Sequence, residues 1–390
     1  MEKLVNNAVM HIARGNIDKA AAVLDLQTIT THLERHPSID FNIPNLEGLQ
    51  GFAQLKSFIQ TLLKLQLFRV KSAANLFKDD QENVISIYAE VLSALGSSEI
   101  LRRDVSFFRN IIVQCKRDMK VYWRLPVRSL ERQIETVISE LRSLFTEYKR
   151  SEFSKGVIVV LSNLFWFYFK INQFEQCTFL IKSLKDQVDR FLSETEKSYQ
   201  VTYYYYVGKL KVYEGQHEEA ARCLEKAFEL CHSRFRAHKL KIFRLLVPFK
   251  MILGKFPSPS LLNQFNLTEF LGLIQAVKQG NLKAFEEEKK KNRRLWVKRG
   301  IYFLLDNVEL VLLRRICKIV WLLNGKKTII PTEHFQKAFN LRSTYKYDLH
   351  ETECIIGNLI MKGFIRGVVY PEQKKAVFPA ENAFPSLGSN

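Results

Sequence analysis

The sequence predicts an all-α fold: a right-handed solenoid of helical hairpins that ends in a C-terminal winged helix. Three observations predict it. Ten prolines and sixteen glycines in 390 residues leave long, uninterrupted helical patterns. Several of these patterns meet in pairs at a tight Gly or Asn turn, with small residues just after it. Beyond about residue 325 the pattern changes to a short strand, two helices and a hairpin.

In chain order, Gly15-Asn16 precedes Ala20-Ala21-Ala22, and Asn42-Ile43-Pro44-Asn45 with Glu47-Gly48 reads as a loop. A helix beginning near Glu82 closes at Gly96-Ser97-Ser98. Arg124-Leu125-Pro126 breaks another, because proline removes a backbone donor and restricts its predecessor. Ser129 opens a long helix through Arg150. Asn172-Gln173 precedes Cys177 and Gly215-Gln216 precedes Ala220-Ala221, an offset of about 43 residues at both positions. Small residues let two antiparallel helices approach, and each pair leaves an apolar face for the next to cover. The clearest unit is Tyr203 to Leu230, which is tetratricopeptide-like (TPR-like). With Gly208 at its eighth position, Tyr204, Val207, Ala220, Leu224 and Ala227 fall at packing positions, while Lys211 stands where an aromatic is usual. Lys255-Phe256-Pro257-Ser258-Pro259-Ser260 is a turn that caps the helix from Ala237 and launches the next. Gly280-Asn281 precedes Ala284, and Arg299 to Leu323 reads as one long helix.

The last part differs. Thr328-Ile329-Ile330-Pro331 reads as a strand and Thr332-Glu333-His334-Phe335 as a capped helix start. A second helix runs from about Asp348 to Lys362 and stops at Gly363. Phe364 to Tyr370, the turn Pro371-Glu372-Gln373-Lys374-Lys375 and Ala376-Val377-Phe378 make a hairpin with basic residues at its tip. The expected organisation is divergent helical repeats over 1–125, TPR-like hairpins over 126–325, and the winged helix with its tail over 326–390.

With 47% hydrophobic and 25% charged residues the chain can bury a substantial core. The net charge of +19 and pI near 9.6 favour polyanionic partners: nucleic acid, an acidic membrane surface or an acidic protein. The plainer reading is a solvated basic subunit of a larger complex. No apolar run reaches the roughly 18–20 residues of a membrane span. Val157–Phe169 and Ile316–Leu323 are core helices on this reading, and Met1-Glu2-Lys3-Leu4 lacks the apolar block of a signal peptide. No membrane partner is expected. Cys115, Cys177, Cys223, Cys231, Cys317 and Cys354 are scattered without C-x-x-C pairing, as reduced core residues would be. A soluble cytosolic or nuclear protein is the expectation.

Catalytic constellations are missing, and neither enzyme activity nor a cofactor or metal is expected. Asn324-Gly325-Lys326-Lys327-Thr328 resembles a phosphate loop only superficially: Val320 stands in place of the earlier glycine, and the segment follows a helix. His217-Glu218-Glu219-Ala220-Ala221 lacks a second histidine. His350 and Cys354 lie four apart, but the reading preferred is a helix cap with a buried cysteine. Tyr203-Tyr204-Tyr205-Tyr206 and Phe165-Trp166-Phe167-Tyr168-Phe169 invite base stacking, yet both lie mid-helix in hairpin patterns and read as core.

The cations carry the functional reading. The densest run is Lys289, Lys290, Lys291, Arg293 and Arg294, preceded by Glu286-Glu287-Glu288, which can neutralise part of it at i,i+3 and i,i+4. It is either a solvated helix end or a phosphate-contacting loop. In the C-terminal module Lys326, Lys327, Lys337, Arg342, Lys346, Arg366, Lys374 and Lys375 fall at loops or exposed helix ends. The helix that would enter a groove carries His350, Glu351, Glu353 and Asn358. Backbone contact to RNA or DNA by the flanking loops therefore fits better than base reading. A wing that docks protein is the other reading.

A set of blocks resembles the PCI-domain family, in particular its mRNA-export branch. These are Asn163-Leu164-Phe165, Tyr168-Phe169-Lys170-Ile171-Asn172, Leu180-Ile181-Lys182, Val201-Thr202-Tyr203 and Tyr205-Tyr206-Val207-Gly208-Lys209. Others follow at Ala227-Phe228, Leu246-Val247-Pro248, Lys250-Met251-Ile252-Leu253-Gly254, Arg299-Gly300-Ile301-Tyr302, Asn358-Leu359-Ile360, Ile365-Arg366-Gly367 and Asn382-Ala383-Phe384-Pro385. The likeness covers about residues 130–387; over 1–125 it is reduced to Ile87-Tyr88-Ala89 with Leu92, and the tryptophan usual before that block is missing. The resemblance implies stacked helical hairpins ending in a winged helix, and a place in the second transcription-and-export complex at the nuclear pore. It implies two partners: a larger PCI-type scaffold subunit met winged helix to winged helix, and a small acidic disordered subunit shared with the proteasome lid. The paired winged helices would form a basic surface for nucleic acid, with Arg366, Lys374 and Lys375 as candidates by matched position. It implies a nuclear, pore-associated location, with the cytoplasm as a further one. The alternative is a docking subunit of a signalosome- or proteasome-lid-like complex that binds no nucleic acid.

Overall fold

The computed structural model of the chain describes residues 57–66, 78–97, 105–122, 130–151, 155–184 and 187–387. The turn at Gly15-Asn16, the loop around Asn42 to Gly48, the break at Arg124-Leu125-Pro126 and the helix-opening Ser129 lie outside the described residues. The chain divides into two compact units, Met1–Tyr206 and Val207–Asn390.

In the first unit the described helices are α1 (residues 57–66), α2 (Lys78–Ser97), α3 (Val105–Tyr122), α4 (Leu130–Arg150), α5 (Lys155–Lys170), α6 (Phe174–Leu184) and α7 (Val188–Glu194). The helix α8 (Lys197–Tyr213) carries the division between the units. α5 is the centre of this unit. It is apolar on nearly every side, buries Gly156 to Phe165 together with Phe167 and Tyr168, and packs against α3, α4, α6 and α7. Gly156 makes the α4–α5 approach possible, since a side chain there would run into the Tyr148 ring. The turn after α5 is closed by Asn172 at φ 58°, and Cys177 beyond it is buried, as the hairpin reading requires. The aromatic run packs as core: Phe165 lies 6.1 Å from both Tyr203 and Tyr206, and Phe169 lies 5.2 Å from Tyr206.

The second unit continues with α9 (His217–Leu230), α10 (Arg236–Ile252), α11 (Pro259–Gln264), α12 (Glu269–Gln279), α13 (Leu282–Lys291), α14 (Arg293–Arg299) and α15 (Leu304–Leu323). At Gly208 a Cβ would meet Leu224 at 2.8 Å and the Ala220 carbonyl oxygen at 3.3 Å, so the small residue is what lets α8 and α9 touch. Lys211, the exception to the TPR pattern, is held by Glu214 at 2.9 Å and Glu219 at 3.1 Å. Ser258 caps α11 by accepting from the Leu261 amide, and Pro259 stands at the first helical position.

One expectation is corrected. Arg299 to Leu323 is not one helix: α14 ends where Gly300 turns left-handed at φ 68°. The Gly300 and Ile301 amides donate back to the Val297 and Trp296 carbonyls at 3.0 and 3.1 Å, a Schellman closure. The chain then re-enters helix at Leu304. α15 is the spine of the unit, packing against α10, α12 and α13 on one side and leading to the winged helix on the other.

The winged helix is built from β1 (Ile329–Pro331), α16 (Thr332–Arg342), α17 (Leu349–Met361), β2 (Val368–Tyr370), a 3-10 turn at Pro371–Gln373 and β3 (Lys375–Val377). β3 is the middle strand, antiparallel to both neighbours, with Ala376 opposite Ile330 on one side and Val369 on the other. Ile330, Phe335, Phe339, Ile356, Leu359, Ile365, Ala376 and Phe378 form its core. Phe384 from the tail joins Phe378 at 6.1 Å and Trp321 of α15 at 5.4 Å, which ties the module to the spine. Asp348 caps α17 in a full capping box with Glu351, and Gly363 at φ 74° follows its end.

Candidate nucleic-acid interface

The sheet register decides which cations stand together. Residues 368, 377 and 329 are aligned across the three strands, so Arg366, just before β2, and Lys326-Lys327, just before β1, lie at one end of the sheet. Lys374 and Lys375 lie at the other end, opposite Tyr370 and Pro331. Three paired residues, about 7 Å of strand, separate the two groups. Arg366, Lys326, Lys327 and Lys374 are exposed. Lys326 and Lys374 adopt left-handed backbone at φ 58° and 48°. The Lys374 carbonyl accepts from the Thr332 amide at 2.9 Å, so the wing tip is tethered to the start of α16. Lys375 is half-buried with its Nζ 5.8 Å from the Tyr370 ring centroid.

Lys337, Arg342 and Lys346 sit apart from both groups, on α16, at its end and in the following loop. Lys337 is exposed and only 4.0 Å from Glu333, and Lys346 donates to the Asn340 carbonyl at 3.3 Å. In the α13–α14 run, Lys290, Lys291, Arg293 and Arg294 are exposed. Lys289 is not available to a phosphate. Its side chain is 15% exposed, and its ammonium is bound to Asp306 at 2.6 Å and Glu309 at 3.2 Å. Burial alone would lower its pKa, but the Asp306 hydrogen bond and the charges of Glu309 and Asp306 outweigh this and raise it. The neutralising acids therefore come from α15 for Lys289, while Lys291 pairs with Glu288 as the local spacing implies.

Two further sequence expectations change. Thr332 is the first helical residue, not the cap, and the preceding Pro331 offers no side-chain acceptor. The Thr332 hydroxyl is wholly buried and donates to Glu353 at 3.1 Å. Cys354 is exposed, because the buried face of α17 passes through Thr352, Glu353, Ile356 and Leu359, a step to one side. The acids of α17 are consumed internally: Glu353 by Thr332, Glu351 by the capping box and by the Tyr345 hydroxyl at 2.6 Å. What α17 turns outward is His350, Cys354 and Met361, a nearly neutral face unsuited to phosphates and to reading guanine or adenine edges by charge. Around it Leu341 is 81% and Met361 79% exposed, with Tyr345, Ile329 and Val368 each about half exposed. These five exposed apolar side chains come from β1, α16, the loop after it, α17 and β2.

Sequence reasoning missed Arg314. It is a charged residue in the apolar face of α15, 9% exposed, donating to the Phe364 carbonyl at 2.8 Å and to the Pro385 carbonyl. An arginine at a core position of an apolar helix was the available signal. Among the described residues no group of three His, Cys, Asp or Glu could hold a metal, no helix is long and apolar enough to cross a membrane, and all six cysteines are free.

No family model matches the sequence. Curated relatives do. A PCI domain-containing protein 2 homolog of Drosophila melanogaster is 31% identical over 265 residues, which is 67% of this chain and 66% of the relative. The homolog from Dictyostelium discoideum is 33% identical over 231 residues, 59% of this chain and 53% of its own. PCI domain-containing protein 2 of Xenopus laevis is 31% identical over 251 residues, 64% and 61% respectively. The matched stretch spans between 53% and 66% of the length of these relatives.

Proposed function

The chain belongs to the PCI-domain family, and on that premise we propose that it is a non-catalytic scaffold subunit of a nuclear mRNA-export complex at the nuclear pore. In this reading it pairs through its winged helix with a larger PCI-type subunit, holds a small acidic disordered subunit, and contributes to a basic surface for RNA or DNA. The observation that carries the nucleic-acid part is the sheet. It presents exposed Arg366, Lys326 and Lys327 at one end and Lys374 at the other, close enough for one strand to bridge. The formal charge of +19 works in the same direction. The open apolar residues Leu341, Met361, Tyr345 and Val368 support the docking part.

The neutral outer face of α17 favours a second reading, in which the module docks protein alone in a signalosome- or lid-like complex. Fluorescence anisotropy with single-stranded RNA and DNA across a salt series separates the two. Each phosphate neutralised by a side chain contributes about 0.7 to the slope of log K against log salt for single strands. Reversing Lys374 and Arg366 together to Glu should weaken binding and flatten that slope by more than one. Absence of salt-dependent binding, by the chain alone and with its co-purified partner, would leave the docking reading.

A further inference from the structure

Away from the winged-helix cations, the second unit contains a cleft of about 390 Å³ between the end of α12, the middle of α15 and the turn after α10. Its cations are Lys278, Arg314 and Arg315; its apolar walls include Phe256, Val277 and Leu387. No carboxylate lies among its described lining residues. Lys278 and Arg315 are exposed, and neither makes an ion pair among the described residues. Lys278 lies over the half-buried Phe256 ring at 5.5 Å, which holds its ammonium at the rim. Arg314 and Arg315 are sequence neighbours that both face the cleft, and the Arg314 pKa is lowered first by burial and then by the Arg315 charge. Three cations around one concavity with no internal anion is a repulsive arrangement that a bound anion relieves.

The walls decide which anion. A bare phosphate or carboxylate would leave Phe256, Val277 and Leu387 wet, whereas a phosphate attached to a flat apolar body covers both kinds of surface. The volume is within the range of small-ligand sites, about 300–1,000 Å³. We propose that this cleft binds a nucleotide: the phosphomonoester on Lys278 and Arg315, the base against Phe256 and the aliphatic walls. The nucleotide is either free or the phosphorylated end of a strand. Arg314 is a positioning residue, since its guanidinium is already committed to the carbonyls of Phe364 and Pro385.

The test is calorimetric titration of the full chain with adenosine 5′-monophosphate, adenosine, inorganic phosphate, and short single strands with 5′-phosphate or 5′-hydroxyl ends. The expected result is saturable binding of the monophosphate, with adenosine and inorganic phosphate each at least tenfold weaker. Lys278→Ala and Arg315→Ala should each weaken it about tenfold or more, the loss of one charge-assisted contact. Both side chains are on the surface, so both variants should melt with the parent. Phe256→Leu keeps an apolar wall but removes the ring, and should weaken the nucleotide by a larger factor than it weakens inorganic phosphate. Binding of the 5′-phosphorylated strand but not the free nucleotide identifies a strand end as the ligand; the reverse identifies a free nucleotide. Failure of both to bind at millimolar concentration overturns the proposal. So does binding unaffected by Lys278→Ala and Arg315→Ala, or an acidic peptide that competes better than either nucleotide. Lys374→Glu should leave nucleotide binding intact, so a failure here is separable from a failure of the winged-helix reading.

Discussion

Replacing Arg314 with methionine should release the segment that follows β3. The guanidinium spans the two loops closing the winged helix, donating to the Phe364 carbonyl at 2.8 Å and to the Pro385 carbonyl, with Phe384 5.8 Å below it. Two charge-assisted hydrogen bonds are worth about 1.5–3 kcal/mol each, and their loss leaves the buried Pro385 and the part-buried Phe364 carbonyl without this donor. Against this, methionine removes the cost of burying a charge, a gain of about 1–2 kcal/mol on the scale seen when buried ions are replaced by apolar side chains. The net expectation is a loss of about 1–5 kcal/mol, a fall of about 0.5–2.5 M in the urea midpoint at an m of about 2 kcal/mol/M. Hydrogen exchange localises the effect. The Arg366 amide, bonded to the Ala383 carbonyl at 2.9 Å, should lose protection far more than the α9–α10 amides. Lysine should fall between, because one ammonium cannot reproduce the fork. A midpoint within about 0.3 M of the parent, with Arg366 protection unchanged, would mean that Phe384 packing alone holds the segment and that the reasoning is wrong.

Three other outcomes are expected. Gly300→Ala should cost about 1–2 kcal/mol, purely for left-handed backbone, since no atom lies within 4 Å of the added Cβ, whereas Gly300→Asn should cost less; urea melts of the three proteins check it. In native protein a thiol reagent should modify Cys354 first. Cys115 and Cys317, raised by burial, and Cys177, pushed up to about 12 by burial, should react only on unfolding; a quantitative thiol count with mass mapping tests this. His217 is held below its ordinary 6.5, first by burial and then by the Lys362 charge, and its buried Nδ1 has no hydrogen-bond partner among the described residues. The unfolded chain takes up this proton more readily, so its contribution to stability is complete above pH 6.5 and declines as the pH falls through that value toward the lower folded-state pKa. His217→Leu should lose less stability than the parent between pH 7.5 and 5.5, and identical losses would remove His217 from the account.

Local signals carried most of the winged helix. Gly363, Pro371 and the alternation around Ile330 and Ala376 are punctuation that acts within a few residues, so the element order could be read directly. The TPR-like unit was legible for the same reason, since Gly208, Ala220 and Leu224 report a contact at fixed spacing. The break at Gly300 and the exposure of Cys354 are local, whereas the other misreadings come from interactions distant in sequence. Lys289 finds Asp306 and Glu309 across a turn that the unbroken-helix reading of Arg299 to Leu323 had removed. Thr332 forgoes capping because Glu353, 21 residues on, offers a buried acceptor. Arg314 reaches partners 50 and 71 residues away, which no periodicity encodes. Lys289 is mostly buried and Lys375 half-buried among the candidate cations, and only strand register divides Arg366 from Lys374.

The order of strands in the winged helix also sets a timetable. The middle strand, β3, is the last of the three to be synthesised, and both outer strands depend on it for their ladder partners. Until residues 375–377 have left the ribosome, β1 and β2 have no template. Ile329 and Val368, already half exposed in the finished fold, are then still more open to stray pairing. The three-stranded sheet thus cannot close before Val377 has emerged. A chain stopped before β3 would hold β1 and β2 without the strand that pairs with both, so the sheet is completed last by topology alone.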